Sequence, residues 1–176
     1  MMISNWEKSF EYFNKTNIGF FDVPEFVLTY LKNKSNATKS SNHLLVGHIK
    51  EEYNYNDVPS KIENFFVSKC FEQPIKYHLD HINVLTKPAP LCLESLWVNY
   101  QKKYEFNPIH EHSGIFSFIV FLKIPYDLNE EDKTYPNTYE NLHYTSRLGF
   151  ATLNPCGGIF SYALNVDSSF ENKMIM

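Results

Sequence analysis

The chain has 176 residues, the size of one ordinary domain and enough to enclose a single hydrophobic core. Its formal net charge of −4 is spread along the sequence, so we expect neither a nucleic-acid partner nor a basic amphipathic helix at a membrane surface. Aromatic residues make up 16% of the chain, chiefly Phe and Tyr, which favours a core rich in β-structure.

The cysteines and the hydropathy pattern indicate the compartment. Cys70, Cys92 and Cys156 are widely separated and form no CxxC pair, which argues against a disulfide framework or a structural zinc knot. No stretch is apolar enough for a signal peptide or a membrane span. We therefore expect a protein of the reducing cytoplasm.

The first half of the chain predicts two helices. Residues 1–20 mix aromatic and polar side chains and fit either a short helix or a strand. An Asp-x-Pro start and apolar residues at helical spacing predict a helix over about 24–34. The small, polar segment 33–42 predicts an exposed loop, and apolar residues at spacings of three and four predict a second helix over about 59–71.

Four histidines precede residue 90. His43 and His48 have the character of surface or packing residues. His78 and His81 are three residues apart and could share one face of a helix as metal ligands, but no partner motif accompanies them. These four residues therefore give weaker indications of a site than the pair that follows.

Two strands are predicted in the centre of the chain. After two prolines the sequence alternates, and Trp97, Asn99 and Gln101 fall on one face, which predicts a strand with polar groups toward a cavity. The run 115–124 is almost wholly β-branched or aromatic, which predicts a strand buried on both faces. Ser117 is its only hydroxyl group.

His110 and His112 lie between these two strands. Side chains at i and i+2 point to the same face of a strand, so this spacing presents two imidazoles toward one ligand. Asn-Pro before the pair and Ser-Gly after it place the histidines at a strand end beside a turn. The pattern predicts a metal site at the rim of a β-scaffold. Two partly exposed turn histidines would show the same spacing, so without a third ligand both interpretations stay open.

The last third of the chain predicts a loop, a hairpin and a final strand. Residues 126–146 are polar and acidic and predict a surface excursion that contains His143. RLGFATLNP and IFSYALNV flank a Gly-Gly turn, which predicts a β-hairpin. The apolar run Lys173–Met176 ends the chain, which predicts an unfinished strand, an open neighbouring edge and a truncated protein.

Four segments resemble a known family. LWVNYQKKYEFNPIHEHSG, FSFIVFLKIP, LVGHIKEEY and SSFENKMI are similar to the 2-oxoglutarate- and Fe(II)-dependent oxygenases of tailed phages, a branch of the prolyl-hydroxylase-like dioxygenases. The resemblance covers the chain from about residue 20 to its end. It implies one α+β, mainly β domain over 1–176, with a helical part over 1–86. Residues 87–176 would form a double-stranded β-helix, or jelly roll, that lacks its last strands.

The resemblance also implies an activity and a set of ligands. A dioxygenase of this family uses Fe(II) and 2-oxoglutarate to hydroxylate a substrate, here an unknown small molecule or protein. His110 and His112 would bind the metal, although the family has a carboxylate where His112 stands, which leaves the metal's identity open. The family's distal His and its Arg for 2-oxoglutarate would lie beyond the end of this chain. The resemblance implies the host cytoplasm for a phage-encoded protein, and it admits a homodimer.

Asn99, Gln101 and Ser117 are the polar groups on the two predicted strands that we expect to face 2-oxoglutarate, with ordinary strand packing as the alternative. Phe121 stands where relatives often carry a Tyr.

Two other classes of protein remain open. A cupin-like metal-binding jelly roll also uses HxH, but the cupin pattern places a Gly before the pair and a Glu after it, and this chain has neither. A non-catalytic β-scaffold or binding module would need no metal. Metal content together with succinate release separates the three classes.

Overall fold

The computed structural model describes residues 4–8, 18–41, 45–72, 90–112, 114–134, 146–153 and 157–176. The named helices are α1 (Glu25–Lys32), α2 (Ser60–Lys69) and α3 (Leu128–Thr134). The strands are β1 (Phe20–Asp22), β2 (Ala37–Ser40), β3 (Glu52–Tyr55), β4 (Trp97–Asn99), β5 (Ile119–Val120), β6 (Leu148–Leu153), β7 (Ile159–Leu164) and β8 (Lys173–Ile175).

The strands form three antiparallel sheets, with the orders β1-β8-β5, β2-β3-β4 and β6-β7. They form no closed barrel within the residues described. Mixed helical and antiparallel β-structure confirms the α+β class. The division at residue 86 does not follow the sheets, because β1, β2 and β3 precede it and β1 and β3 pair with strands that follow it.

Both predicted N-terminal helices are confirmed, and each begins after a proline. Pro24 precedes α1, whose buried face carries Val27, Leu28 and Leu31 at helical spacing. Pro59 precedes α2, whose buried face carries Ile62 and Phe66. Proline suits the start of a helix because its fixed φ is compatible with the first turn and the N–H that it lacks would have no partner there.

The core consists of two apolar clusters that meet at β8. Val27, Phe66 and Met174 belong to the first cluster. Phe170 and Ile175 belong to the second. Because successive side chains of a strand point to opposite faces, Met174 and Ile175 extend into different clusters.

The predicted loop over 33–42 is wrong. Ala37–Ser40 form β2, which pairs with β3, and Ser41 is fully buried. Small polar residues can form such a strand when a neighbouring strand supplies the hydrogen bonds, because strand preference depends strongly on tertiary context.

Two further predictions are corrected. Within 115–124 the assigned strand is only Ile119–Val120, and Ile115 is 57% exposed, so this strand is not buried on both faces. It pairs with β8 along one edge, which leaves part of it at the surface. The predicted excursion over 126–146 contains α3, whose start is capped by the Asp127 carboxylate. Residues 135–145, including His143, lie outside the described residues.

The hairpin is confirmed, and the last apolar run forms a strand with a neighbour on each edge, not an unfinished strand. β6 and β7 pair over six positions, and Gly157 has a φ of +82° in the turn. Lys173–Ile175 form β8, which pairs with β1 on one edge and β5 on the other, so this strand is not left without neighbours. Cys70 and Cys92 are free thiols, and Cys156 lies outside the described residues. None of the helices described is long and apolar enough to cross a membrane.

Candidate metal centre

The sheet β2-β3-β4 has one apolar face and one polar face. Tyr55 on β3 is buried against α1, and Val98 on β4 lies in the same cluster. The antiparallel register sets Glu52 opposite Asn99 and Asn54 opposite Trp97 on the other face. We call this second face, which also carries Ser41, the polar face. Its members are Ser41, Glu52, Asn54, Trp97 and Asn99.

His110 and His112 lie beside the polar face. Their ring centroids are 4.6 Å apart, and the ring of His112 is stacked nearly parallel to that of Trp97 at 6.0 Å. Both histidines are exposed. The structure therefore brings the two imidazoles together at the surface. The pair lies on the connection between β4 and β5 and not at a strand end, so the strand geometry from which the spacing was interpreted is not what aligns the rings.

The hydrogen bond of His110 suits a metal ligand. Its Nδ1 atom lies 2.7 Å from the carbonyl oxygen of Pro108. Because a carbonyl only accepts hydrogen bonds, Nδ1 carries the proton in the neutral ring and Nε2 keeps a free lone pair. Histidines that bind metals are characteristically held in this way by a backbone carbonyl or a carboxylate.

The separation of the rings also suits one shared ion. A metal lies about 2.1 Å from an imidazole nitrogen, which puts it about 3.2 Å from the ring centroid. Two rings on one ion, at angles between octahedral and tetrahedral values, therefore have centroids about 4.5 to 5.2 Å apart. The observed 4.6 Å falls at the octahedral end of this range.

The pKa of His112 is lowered by burial of its ring and, to a smaller degree, by the neighbouring His110. Both effects disfavour the imidazolium form. His112 is therefore neutral at neutral pH, and a neutral imidazole is the form that binds a metal.

The residues predicted to contact 2-oxoglutarate differ in their surroundings. Asn99 lies on the polar face, and its Oδ1 atom is buried without a hydrogen-bond partner among the residues that the structure describes. Gln101 instead donates from Nε2 to the carbonyl oxygen of Glu105 at 2.6 Å, within a turn. Ser117 is exposed, and Phe121 packs against Phe170 in the second cluster, 5.4 Å between centroids.

His48 is the other histidine within the described residues, and it is stacked on Phe106 at 5.0 Å. His43, His78, His81 and His143 lie outside the described residues. Within the described ranges, no group of three or more His, Cys, Asp or Glu residues is placed to hold a metal ion.

Comparisons with protein-family models, curated proteins and solved structures found no match to this chain.

Glu52 and Gly47 have no counterpart in the sequence predictions, whereas Asn107 was noted only as part of a turn. Glu52 is only 1% exposed, and burial, together with the nearby Glu105 carboxylate, raises its pKa. A Cβ atom placed on Gly47 would lie 2.1 Å from Oδ1 of Asn107 and 3.0 Å from Oε1 of Glu52. The alternation of EEYNY was the signal available for Glu52, because it puts Glu52 and Asn54 on one face and Tyr53 and Tyr55 on the other.

Proposed function

We propose that this protein is a 2-oxoglutarate- and Fe(II)-dependent oxygenase in which His110 and His112 are two of the metal ligands. One observation carries the proposal: the imidazoles of His110 and His112 lie 4.6 Å apart, and a backbone carbonyl oxygen lies 2.7 Å from Nδ1 of His110, which leaves Nε2 for a metal. The resemblance of the flanking sequence to phage oxygenases supports the choice of iron and 2-oxoglutarate. The finer fold that we propose is a jelly roll, with the pair between β4 and β5.

The chain's own residues have separable tasks in this proposal. His110 and His112 hold the ion, and Pro108 fixes the ring of His110 through its carbonyl. Trp97 covers one face of His112 and restricts the rotation of that ring. Asn99 is the best placed of the predicted cosubstrate residues, because rotation of its amide presents N–H donors to a carboxylate.

The bound iron, 2-oxoglutarate and dioxygen would supply the oxidising chemistry. The overall reaction consumes 2-oxoglutarate, dioxygen and one C–H bond of the substrate. It releases succinate, carbon dioxide and the hydroxylated product.

The test combines metal binding with turnover of the cosubstrate. Fe(II) affinity is measured without oxygen for the wild type, His110→Ala and His112→Ala, and succinate release from 2-oxoglutarate is then measured in air. We expect each substitution to lower Fe(II) affinity at least about 100-fold, since even the loss of an outer-shell partner costs 10- to 100-fold. The fold should persist, because both side chains are exposed.

His48→Ala is the matched control, because His48 is also exposed and also stacked on an aromatic ring but lies outside the HxH pair. It should keep wild-type affinity. A wild type that binds no divalent metal at micromolar concentration would refute the metal centre. Metal binding without succinate release would contradict an oxygenase activity of this chain by itself and favour a cupin-like metal protein.

A further inference from the structure

The segment that leads to the histidine pair is bonded to the chain just before β3. The N–H group of His48 donates to the carbonyl oxygen of Phe106 at 2.8 Å, and the two rings stack with 9° between their planes. The N–H group of Lys50 donates to Oε1 of Glu105 at 3.3 Å. The two hydrogen bonds donated by these backbone N–H groups, which an alanine at position 48 would keep, fix the backbone a few residues before His110.

The end of the Asn107 side chain lies where a side chain at position 47 would begin. A Cβ atom on Gly47 would lie 2.1 Å from Oδ1 of Asn107, closer than real Cβ contacts come. The same point lies 3.0 Å from Oε1 of Glu52, so the two oxygen atoms are no more than about 5 Å apart. Asn107 therefore packs against Gly47 next to a buried carboxylate, and its amide can turn an N–H group toward that carboxylate.

Asn107 is directly followed by the residue that orients His110. The carbonyl of Pro108 accepts the hydrogen bond from Nδ1 of His110. Because proline has a nearly fixed φ, the direction of this carbonyl follows from the plane of the Asn107–Pro108 peptide and the ψ angle of Pro108. Packing thus connects Gly47 and Glu52 to the Asn107 side chain, and the chain connects Asn107 to Pro108, whose carbonyl is hydrogen-bonded to the imidazole of His110.

We propose that Gly47, Asn107 and Glu52 are positioning residues for His110. The Asn107 side chain, packed on Gly47 and beside Glu52, sets the Pro108 carbonyl and thereby selects the Nδ1–H tautomer of His110. These three residues are not metal ligands. The effect on metal affinity rests on the proposed function, whereas the tautomer of His110 can be measured in the metal-free protein.

Gly47→Ala tests the space that Asn107 requires. The added methyl group displaces the Asn107 side chain, so long-range proton–nitrogen NMR spectra of His110 should change from the Nδ1–H tautomer to a mixture. Fe(II) affinity should fall about 10-fold or more, as for other outer-shell changes. Gly149→Ala is the matched control, because an added Cβ there meets nothing within 4 Å. It should leave both measurements unchanged.

A double-mutant cycle tests whether Gly47 acts through Asn107. Asn107→Ala should reproduce the change in tautomer, and adding Gly47→Ala to that variant should have no further effect. Asn107 is exposed, so its substitution leaves the core intact. Glu52→Gln should keep the wild-type tautomer because its amide can still pair with Asn107, whereas Glu52→Ala should not.

The outcomes separate this inference from the proposed function. A wild-type tautomer and affinity in Gly47→Ala would overturn the inference, as would an undiminished effect of Gly47→Ala in the Asn107→Ala background. A wild type that binds no metal but whose His110 tautomer responds to Gly47→Ala would refute the proposed metal centre and support the positioning role.

Discussion

At the scale of single residues, burial shifts the pKa values of His112 and Glu52 toward their neutral forms. Burial and the neighbouring His110 lower the pKa of His112, which leaves its ring available as a ligand. Burial raises the pKa of Glu52, which favours its protonated form. Glu52 lies opposite Asn99 on the polar face, where a charged carboxylate is costly to bury.

The raised pKa of Glu52 predicts a pH-dependent cost to stability. In the unfolded chain a Glu titrates at about 4.3, and in the folded protein Glu52 holds its proton to higher pH. The stabilisation that comes from protonated Glu52 is therefore complete below the unfolded pKa of about 4.3. It is lost as the pH rises through the higher pKa of the folded protein. Glu52→Gln is neutral at every pH, so its free energy of unfolding should rise relative to wild type between pH 4 and pH 7.

Urea denaturation of both proteins across that range measures this difference. A difference that stays constant or falls with increasing pH would contradict the assignment of Glu52 as a buried acid with a raised pKa.

At the scale of elements, β8 connects most of the described fold. It is the central strand of β1-β8-β5, and its neighbouring side chains, Met174 and Ile175, enter different clusters. Met174 is fully buried. Loss of its side chain would leave a cavity in the first cluster, lined by residues of α1 and α2 that cannot move inward freely.

Met174→Ala should therefore lower the free energy of unfolding by about 2–5 kcal/mol. Ile159→Ala is the control, because Ile159 is 79% exposed on β7 and its truncation should change stability by no more than about 0.5 kcal/mol. Equilibrium unfolding of both variants checks the contrast. Equal, small effects would mean that β8 is not a core strand.

Local sequence patterns predicted the elements whose hydrogen bonds are local. α1, α2 and the β6–β7 hairpin are fixed by helical spacing, prolines and a glycine turn, and all three are confirmed. β2 was missed because its strand state comes from pairing with β3, which no local composition reveals. The pairing of the last apolar run, Lys173–Ile175, was missed because its partners, β1 and β5, lie far away in sequence.

At the scale of the whole molecule, the histidine pair lies on the connection between two sheets. β4 precedes the pair in the sheet β2-β3-β4, and β5 follows it in the sheet β1-β8-β5. Phe118, just before β5, stacks on Phe66 of α2 at 4.3 Å, so the far end of the connection is fixed in the first cluster. The near end is fixed by the contacts of Phe106 and Asn107.

The sequence alone could predict the histidine pair but not the residues that pack against the segment leading to it. The spacing of His110 and His112 predicted that the rings meet through strand geometry, whereas the structure brings them together on a connection outside the strands. Gly47 and Glu52 lie more than 50 residues earlier, and only the fold brings them to Asn107. Gln101 fell on the predicted face, but its amide is used within its own turn, which strand parity could not show.

The central claim is that His110 and His112 share one divalent ion, and X-ray absorption spectroscopy of the Fe(II)-loaded protein tests it most directly. The claim predicts imidazole scattering from at least two histidines in the wild type, and one histidine fewer in His110→Ala and in His112→Ala when enough Fe(II) is supplied to load each variant. An iron site with the same imidazole scattering in all three proteins would contradict it.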